Sequence, residues 1–139
     1  MKILVVDDNK HIVEMLAKYL STRHNISSFV DPEEALEYYK GNSEVDVVIT
    51  DFEMPNMNGD ELIKKIFYLN PNQSFILISG YFTHSLKEVL KKSNAYIQMI
   101  DKPFENYVLD NALESIEKLN LSCRRNSNTL RRITSSLNN

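Results

Sequence analysis

Short apolar segments alternate with longer amphipathic segments along the chain. The short segments are five or six residues long and contain β-branched side chains, which is typical of strands. They span residues 2–6, 25–30, 45–50, 74–79 and 96–101, and the second has the weakest pattern. Because the first, third and fourth are predominantly apolar, they predict strands that are buried on both faces of a parallel sheet.

Between these strands, apolar side chains recur on one face of each segment at the spacing of an α-helix. The predicted helices span residues 10–21, 32–41, 60–69 and 83–92, followed by a helix with the apolar stripe Leu109, Ala112, Leu113, Ile116 and Leu119. The clearest start signal is Asp31 followed by Pro32, a capping side chain before a proline at the first helical position. Gly41 is placed to end that helix.

The order of elements is five repeats of strand followed by helix, which predicts the fold class. Strands that alternate with helices imply right-handed crossovers and a doubly wound α/β fold with a five-stranded parallel sheet. In such sheets, ligands bind at the carboxyl ends of the strands. The residues that follow each predicted strand are therefore the candidates for chemistry.

Composition bounds the kind of protein. A chain of 139 residues with 42% hydrophobic and 25% charged side chains fits one soluble domain. One cysteine, Cys123, excludes a disulfide framework and a cysteine zinc site. The N-terminal apolar run covers only residues 3–6, too short for a signal sequence or a membrane span, so we expect a cytoplasmic protein that does not bind membranes.

Charge divides the chain into two parts. Residues 1–120 contain 12 Lys and Arg against 19 Asp and Glu, whereas residues 121–139 contain four Arg and no acid. The acidic part disfavours binding to nucleic acid. We predict a domain over residues 1–119 and a basic, flexible tail or linker over residues 120–139, because a segment rich in Ser, Asn and Arg favours disorder. A basic arm that binds nucleic acid is the alternative for this tail.

Polar side chains lie at the ends of four predicted strands: Asp7 and Asp8, Asp51, Ser79, and Lys102. Three carboxylates at one sheet edge repel one another unless a cation neutralises them. Magnesium fits better than zinc because no Cys or His follows these strands. A solvated acidic rim without a metal is the alternative.

A lysine and a hydroxyl beside carboxylates favour phosphoryl transfer to an aspartate. Mg²⁺, Lys102 and backbone N–H groups would neutralise the oxygens of the transferred group. Asp51 is the best acceptor because its strand is central in this topology. The adjacent pair Asp7 and Asp8 is better suited to holding the metal.

Four segments, in this order and spacing, resemble a known family. They are Val5-Val6-Asp7-Asp8-Asn9, Asp51-Phe52-Glu53-Met54-Pro55-Asn56-Met57-Asn58-Gly59, Leu77-Ile78-Ser79-Gly80 and Asp101-Lys102-Pro103-Phe104. Over residues 1 to about 119, the chain resembles the receiver domain of bacterial two-component response regulators. The resemblance implies a flavodoxin-like (βα)5 fold with strand order 2-1-3-4-5.

The same resemblance implies a role for each matched residue. Asp51 corresponds to the phosphoacceptor and is also a Mg²⁺ ligand. Asp8 corresponds to a direct Mg²⁺ ligand, Asp7 to a ligand acting largely through water, and the backbone carbonyl of Glu53 to the last protein ligand. Such a domain catalyses its own phosphorylation and dephosphorylation and is not a conventional enzyme.

Around the phosphoryl group, the resemblance assigns Ser79 as the switch hydroxyl and Lys102 as the cation that binds a phosphoryl oxygen. Gly80 leaves its N–H and space for the ligand, and the bond from Lys102 to Pro103 is expected to be cis. In the loop after Asp51, Gly59 is expected to adopt a positive φ.

Three further positions are expected to modulate the site. Met99 stands where the family commonly has an aromatic residue that reports phosphorylation, and a bulge in the fifth strand would realign Tyr96 with that position. A flexible Met99 is itself able to repack between two states. Glu53 and Tyr81, each two positions beyond a site residue, are expected to shield the phosphoryl group from water.

The resemblance implies that the phosphodonor is a sensor histidine kinase or a phosphotransfer protein. None of the chain's own histidines is placed to act as a phosphodonor. The output is expected to be a downstream protein bound by the fourth helix, fifth strand and fifth helix, with a phosphorylation-dependent dimer as a further option. Alternatives are a receiver fragment of a longer regulator whose effector domain is missing, and a pseudo-receiver that only binds partners. A module that binds FMN is disfavoured because Asp7 and Asp8 would repel its phosphate.

Overall fold

The computed structural model describes residues 1–42 and 44–137 and contains one five-stranded parallel sheet. The strands are β1 (Lys2–Val6), β2 (Asn25–Phe29), β3 (Val47–Asp51), β4 (Ser74–Ser79) and β5 (Tyr96–Asp101). The helices are α1 (Lys10–Leu20), α2 (Pro32–Gly41), α3 (Gly59–Leu69), α4 (His84–Lys92) and α5 (Asn106–Leu137). Strand order is β2-β1-β3-β4-β5, and all four pairings are parallel, so the expected fold is confirmed.

Two apolar cores lie on opposite faces of the sheet. In β1, Leu4 and Val6 pack in the core with α2, α3 and α4, whereas Ile3 and Val5 pack in the core with α1 and α5. Alternate side chains of a strand point to opposite faces, so a strand covered on both sides is apolar at successive positions. This explains why the central strands are so apolar in sequence.

Helix starts follow local capping chemistry. Asn9 accepts hydrogen bonds from the N–H groups of His11 and Ile12, and Asp31 accepts one from Glu33 directly before Pro32. Such side chains satisfy donors that the first helical turn leaves free. Apart from the end of α5, predicted boundaries hold to within two residues, the largest of these differences being β3, which begins at Val47 instead of residue 45.

The C-terminal segment differs from the flexible tail expected from composition. Residues 120–137 continue α5, and the side chain of Arg124 lies 3.2 Å from Asp46 Oδ1. No Gly or Pro follows Pro103, so nothing breaks the helix. The hydroxyls of Ser127 and Thr129 donate to carbonyls one turn earlier in the same helix. The division of the chain near residue 119 stays a prediction.

The described helices include none that is both long and apolar enough to cross a membrane.

Candidate functional site

The carboxyl ends of β1 and β3 bring three carboxylates together. One oxygen each from Asp7, Asp8 and Asp51 lies within 4.8 Å of the others. Asp51 is the last residue of β3, and Asp7 and Asp8 directly follow β1, its neighbour in the sheet. Asp7 and Asp51 are only 4% and 7% exposed, whereas Asp8 is exposed to solvent. The predicted acidic cluster is therefore present, with two buried members.

Lys102 reaches this cluster from the end of β5. Its Nζ lies 2.9 Å from Asp51 Oδ1 and 3.7 Å from Asp7 Oδ2. Its backbone N–H donates to the carbonyl of Ser79 over 2.8 Å, which holds the start of the next loop against β4. The peptide bond between Lys102 and Pro103 is cis, as the resemblance implied.

Burial makes the two inner carboxylates costly to ionise. It is the main cause that raises the pKa of Asp7 and of Asp51, and the neighbouring carboxylates raise both further. Hydrogen bonds from the Asn9 N–H to Asp7 and from Lys102 to Asp51 only partly oppose this. Burial also disfavours the charged form of Lys102, but its hydrogen bond to Asp51 and attraction to both carboxylates outweigh burial, so its pKa is raised.

This donor set fits Mg²⁺. Three carboxylates carry more negative charge than Lys102 neutralises, and hard oxygen ligands are those that Mg²⁺ prefers. The exposed side of the cluster, at Asp8, leaves room for the waters that Mg²⁺ retains. Glu53 lies in the loop after β3, and no described residue donates a hydrogen bond to its carbonyl oxygen.

Ser79 is buried at the end of β4, but its hydroxyl is occupied locally. Ser79 Oγ donates to the carbonyl of Tyr81 over 3.0 Å and accepts the Tyr81 N–H over 3.1 Å. The structure therefore brings Ser79 to the sheet edge of the site without a hydrogen bond to Asp51. Gly80 is exposed and has open space where a Cβ would lie, and the side chain of Tyr81 is 72% exposed.

In the loop after Asp51, the prediction for Gly59 was wrong, and Asn56 has a backbone conformation that was not predicted. Gly59 does not adopt a positive φ, so that expectation was wrong. A Cβ on Gly59 would instead lie 2.2 Å from the Asp51 carbonyl oxygen and 2.8 Å from Leu77 Cδ1, so glycine is required for space. The positive φ belongs to Asn56, at 68°. The sequence signal was Pro55 before Asn56, since Asn tolerates the left-handed region in turns.

The predicted bulge in β5 is absent. Pairing between β4 and β5 runs without interruption from Ser74 opposite Tyr96 to Ser79 opposite Asp101. Tyr96 therefore stays at the start of β5, at the opposite end of the strand from the site. Met99 pairs with Leu77 and is half-buried against the core that α4 covers.

Comparison with known proteins identifies the family. A family profile described as response regulator receiver domain matches residues 3–114. The chain belongs to the response regulator receiver domain family. Receiver domains of this family are components of two-component signalling systems.

Relatives of this receiver domain include small chemotaxis proteins. It is 33% identical over 120 residues to a chemotaxis protein CheY homolog of Campylobacter jejuni, covering 84% of this chain and 92% of that protein. The chemotaxis protein CheY1 of Helicobacter pylori is also 33% identical over 120 residues, with 84% and 96% covered.

Solved structures agree with the fold. A response regulator receiver domain protein from Clostridium thermocellum has a TM-score of 0.79 and 26% identity, with 86% of this chain and 97% of that chain covered. CheY in a CheX-CheY-BeF3-Mg²⁺ complex from Borrelia burgdorferi has a TM-score of 0.74 and 28% identity, with 84% and 88% covered.

Proposed function

We propose that this receiver domain is a phosphorylation-dependent signalling switch that accepts a phosphoryl group on Asp51 from a histidine kinase or a phosphotransfer protein. The observation that carries the proposal is the position of Asp51, which lies within 2.9 Å of Lys102 Nζ and among the carboxylates of Asp7 and Asp8. An acceptor, a fixed cation and a metal-binding donor set meet there.

The proposed transfer is an in-line displacement. A carboxylate oxygen of Asp51 forms a bond to phosphorus while the bond from phosphorus to the donor breaks, and the donor leaves with the electron pair. Asp7, Asp8, Asp51 and the Glu53 carbonyl would hold Mg²⁺, which when bound neutralises charge on the phosphoryl oxygens. Lys102 stays beside Asp51 and binds one of these oxygens, and the Gly80 N–H, which donates to no described residue, contacts another.

Signalling requires that the phosphoryl group change a surface. We propose that Ser79 Oγ exchanges its bonds to the Tyr81 backbone for one to a phosphoryl oxygen, which moves the loop that leads into α4. Met99, half-buried beneath α4, repacks with this movement. The equilibrium between two conformations of the α4, β5 and α5 face then shifts, with a coupling free energy of about 1 to 3 kcal/mol.

The switch is proposed to act in the cytoplasm on a downstream protein. The Borrelia burgdorferi relative was solved with the protein CheX, which supports a protein target here. The acidic charge of residues 1–120 makes nucleic acid a poor ligand for the receiver domain itself.

Intact-mass spectrometry after incubation with acetyl phosphate tests the acceptor. We expect a gain of one phosphoryl group that requires Mg²⁺ and is lost in Asp51→Asn. Asp101→Asn is the matched control, because Asp101 is an exposed acid at the end of the neighbouring strand and is expected to leave the gain intact. No gain in the unmodified protein would indicate a pseudo-receiver that switches by binding alone.

Glu53 and Tyr81 are proposed to slow hydrolysis of the phosphorylated Asp51. Both side chains are exposed beside the site, where they would obstruct water approaching the phosphoryl group. Glu53→Ala and Tyr81→Ala are each expected to shorten the phosphoryl lifetime several-fold, measured as loss of the phosphorylated mass with time. Lifetimes equal to that of the unmodified protein would refute the shielding role.

A further inference from the structure

The last part of α5 carries an apolar stripe that no described residue covers. Leu109 and Ile116, earlier in the same helix, are fully buried against the sheet, whereas Leu130 and Leu137 are 64% and 78% exposed. Residues 120–137 form a helical segment about 27 Å long. In proteins, most of the stability of a helix comes from packing of its amphipathic face and not from helix propensity.

The stripe has the spacing of a coiled coil. Its members alternate four and three residues apart: Leu119, Cys123, Asn126, Leu130, Ile133 and Leu137. This is the heptad pattern in which the first and fourth positions face a partner helix. Alternating steps of four and three residues repeat every seven residues, which is the 3.5-residue period of a coiled coil. Apolar positions that stayed on the sheet-facing side of a straight helix would instead recur every 3.6 residues.

The charges on this segment fit pairing with an identical helix. All four arginines of this segment, Arg124, Arg125, Arg131 and Arg132, fall at two of the three heptad positions on the outer side. The positions that flank the stripe hold only neutral side chains, namely Asn120, Ser122, Ser127, Thr129, Thr134 and Ser136. Two copies therefore meet without like-charge repulsion, whereas selection of a charged partner would use those flanking positions.

The stripe also points to an open side of the molecule. Asp110 faces α1, where it accepts hydrogen bonds from Tyr19 and Arg23. Leu119 lies nine residues after Asp110, and Leu137 lies twenty-seven residues after it. At 3.6 residues per turn, each separation is a whole number of turns plus one half, so both leucines lie on the side of α5 opposite to Asp110. That side is nearest to β5, the edge strand of the sheet, where Leu119, Cys123 and Asn126 line an open cleft with Ser74 and Tyr96, so a second copy that approaches there meets this cleft.

We propose that residues 119–137 form a parallel, in-register, two-stranded coiled coil with the same residues of a second copy of this chain. In this arrangement each Asn126 meets its counterpart, and an amide is self-complementary because it has both a donor and an acceptor. Each Cys123 also lies opposite its counterpart. This pairing is independent of the phosphoryl chemistry of Asp51.

Cross-linking of the full chain with diamide tests the register, because Cys123 is exposed and is the sole cysteine. We expect a covalent dimer on a non-reducing gel. In a Cys123→Ser background, Leu130→Cys in the stripe is expected to restore the dimer, and Asn128→Cys on the outer side is not. Equal cross-linking at residues 128 and 130, or none at 123, would refute the parallel pairing.

Sedimentation over a range of concentrations tests the association itself. We expect a species of twice the 16.1 kDa chain mass. Leu130→Glu or Ile133→Glu is expected to raise the dissociation constant of the dimer at least about tenfold, because each would bury a charge between the paired helices. Asn128→Glu is the matched control and is expected to have little effect. A chain that stays monomeric, a larger assembly, or a dimer that both stripe variants leave intact would overturn the proposal.

Discussion

Adjacent aspartates in this receiver domain have different environments. Asp7 is buried, accepts the Asn9 N–H over 2.9 Å and lies 3.7 Å from Lys102 Nζ, whereas Asp8 is exposed. Burial raises the pKa of Asp7, which means that the folded state disfavours its ionised form. The contribution of the Asp7 carboxyl to the free energy of unfolding is therefore present at low pH and is lost as pH rises through the folded-state pKa.

Replacing Asp7 by Asn is expected to raise the melting temperature at neutral pH without Mg²⁺, because the amide removes a buried charge and can still accept the Asn9 N–H. Each 1 kcal/mol corresponds to roughly 3 °C for a domain of this size. The difference from the unmodified protein is expected to shrink as pH falls and Asp7 becomes protonated. Mg²⁺ is expected to stabilise the unmodified protein more than the variant.

Calorimetry in EDTA and in Mg²⁺, at several pH values, measures these differences. Asp101→Asn serves as the control, since Asp101 is exposed and its replacement is expected to change little. A lower melting temperature for Asp7→Asn in EDTA would show that the ionised carboxylate stabilises the fold.

Among the elements, the junction of β3 and α3 sets the position of Asp51. The Gly59 N–H donates to the carbonyl of Phe52 over 2.8 Å, and the Phe52 N–H donates to Ile78 on β4 over 2.8 Å. Helix α3 thus begins against the backbone of the acceptor residue. Buried Met54 and Met57 fix the intervening loop to the core.

Replacing Gly59 by Ala is expected to cost about 2 kcal/mol or more of unfolding free energy, because its Cβ would overlap the Asp51 carbonyl oxygen. Phosphorylation by acetyl phosphate is expected to slow as Asp51 shifts. Gly41→Ala is the matched control, since no described atom outside its chain neighbours and its own helix backbone lies within 4 Å of its Cβ position, and a change within about 0.5 kcal/mol is expected. Urea denaturation measures both, and equal stabilities would contradict the packing argument.

On the scale of the whole molecule, the site and the end of α5 lie at opposite ends of the sheet. The site is at the carboxyl ends of the strands, and α5 runs back past their amino ends, where Arg124 contacts Asp46 just before β3. All described residues from 125 onward are exposed. The receiver fold therefore does not depend on packing by the end of the helix.

A chain that ends at Arg124 is expected to fold and to accept a phosphoryl group at the same rate as the full chain, because it keeps both cores and the ion pair to Asp46. Circular dichroism and intact-mass spectrometry check this. Loss of folding, or loss of phosphorylation in a folded protein, would show that residues 125–139 belong to the receiver domain.

Much of the site was predictable because its chemistry lies in local sequence. Each strand is a short apolar run, and parallel strands bring their carboxyl ends to one edge, so the sequence predicts that Asp7, Asp51, Ser79 and Lys102 lie near one another. Capping by Asp31, directly before Pro32, is likewise a property of neighbouring residues. Periodicity and capping act over a few residues and are therefore readable from the sequence.

The remaining features depend on residues that are distant in sequence. The space that requires Gly59 is set by Asp51 and Leu77, and the raised pKa of Asp51 depends on burial under the surrounding chain. The sequence alone determined the order of strands and helices and which chemical groups stand at the strand ends. Only the tertiary structure decided which oxygens meet, which carboxylates are buried and where Ser79 Oγ bonds, because packing between distant segments sets those distances.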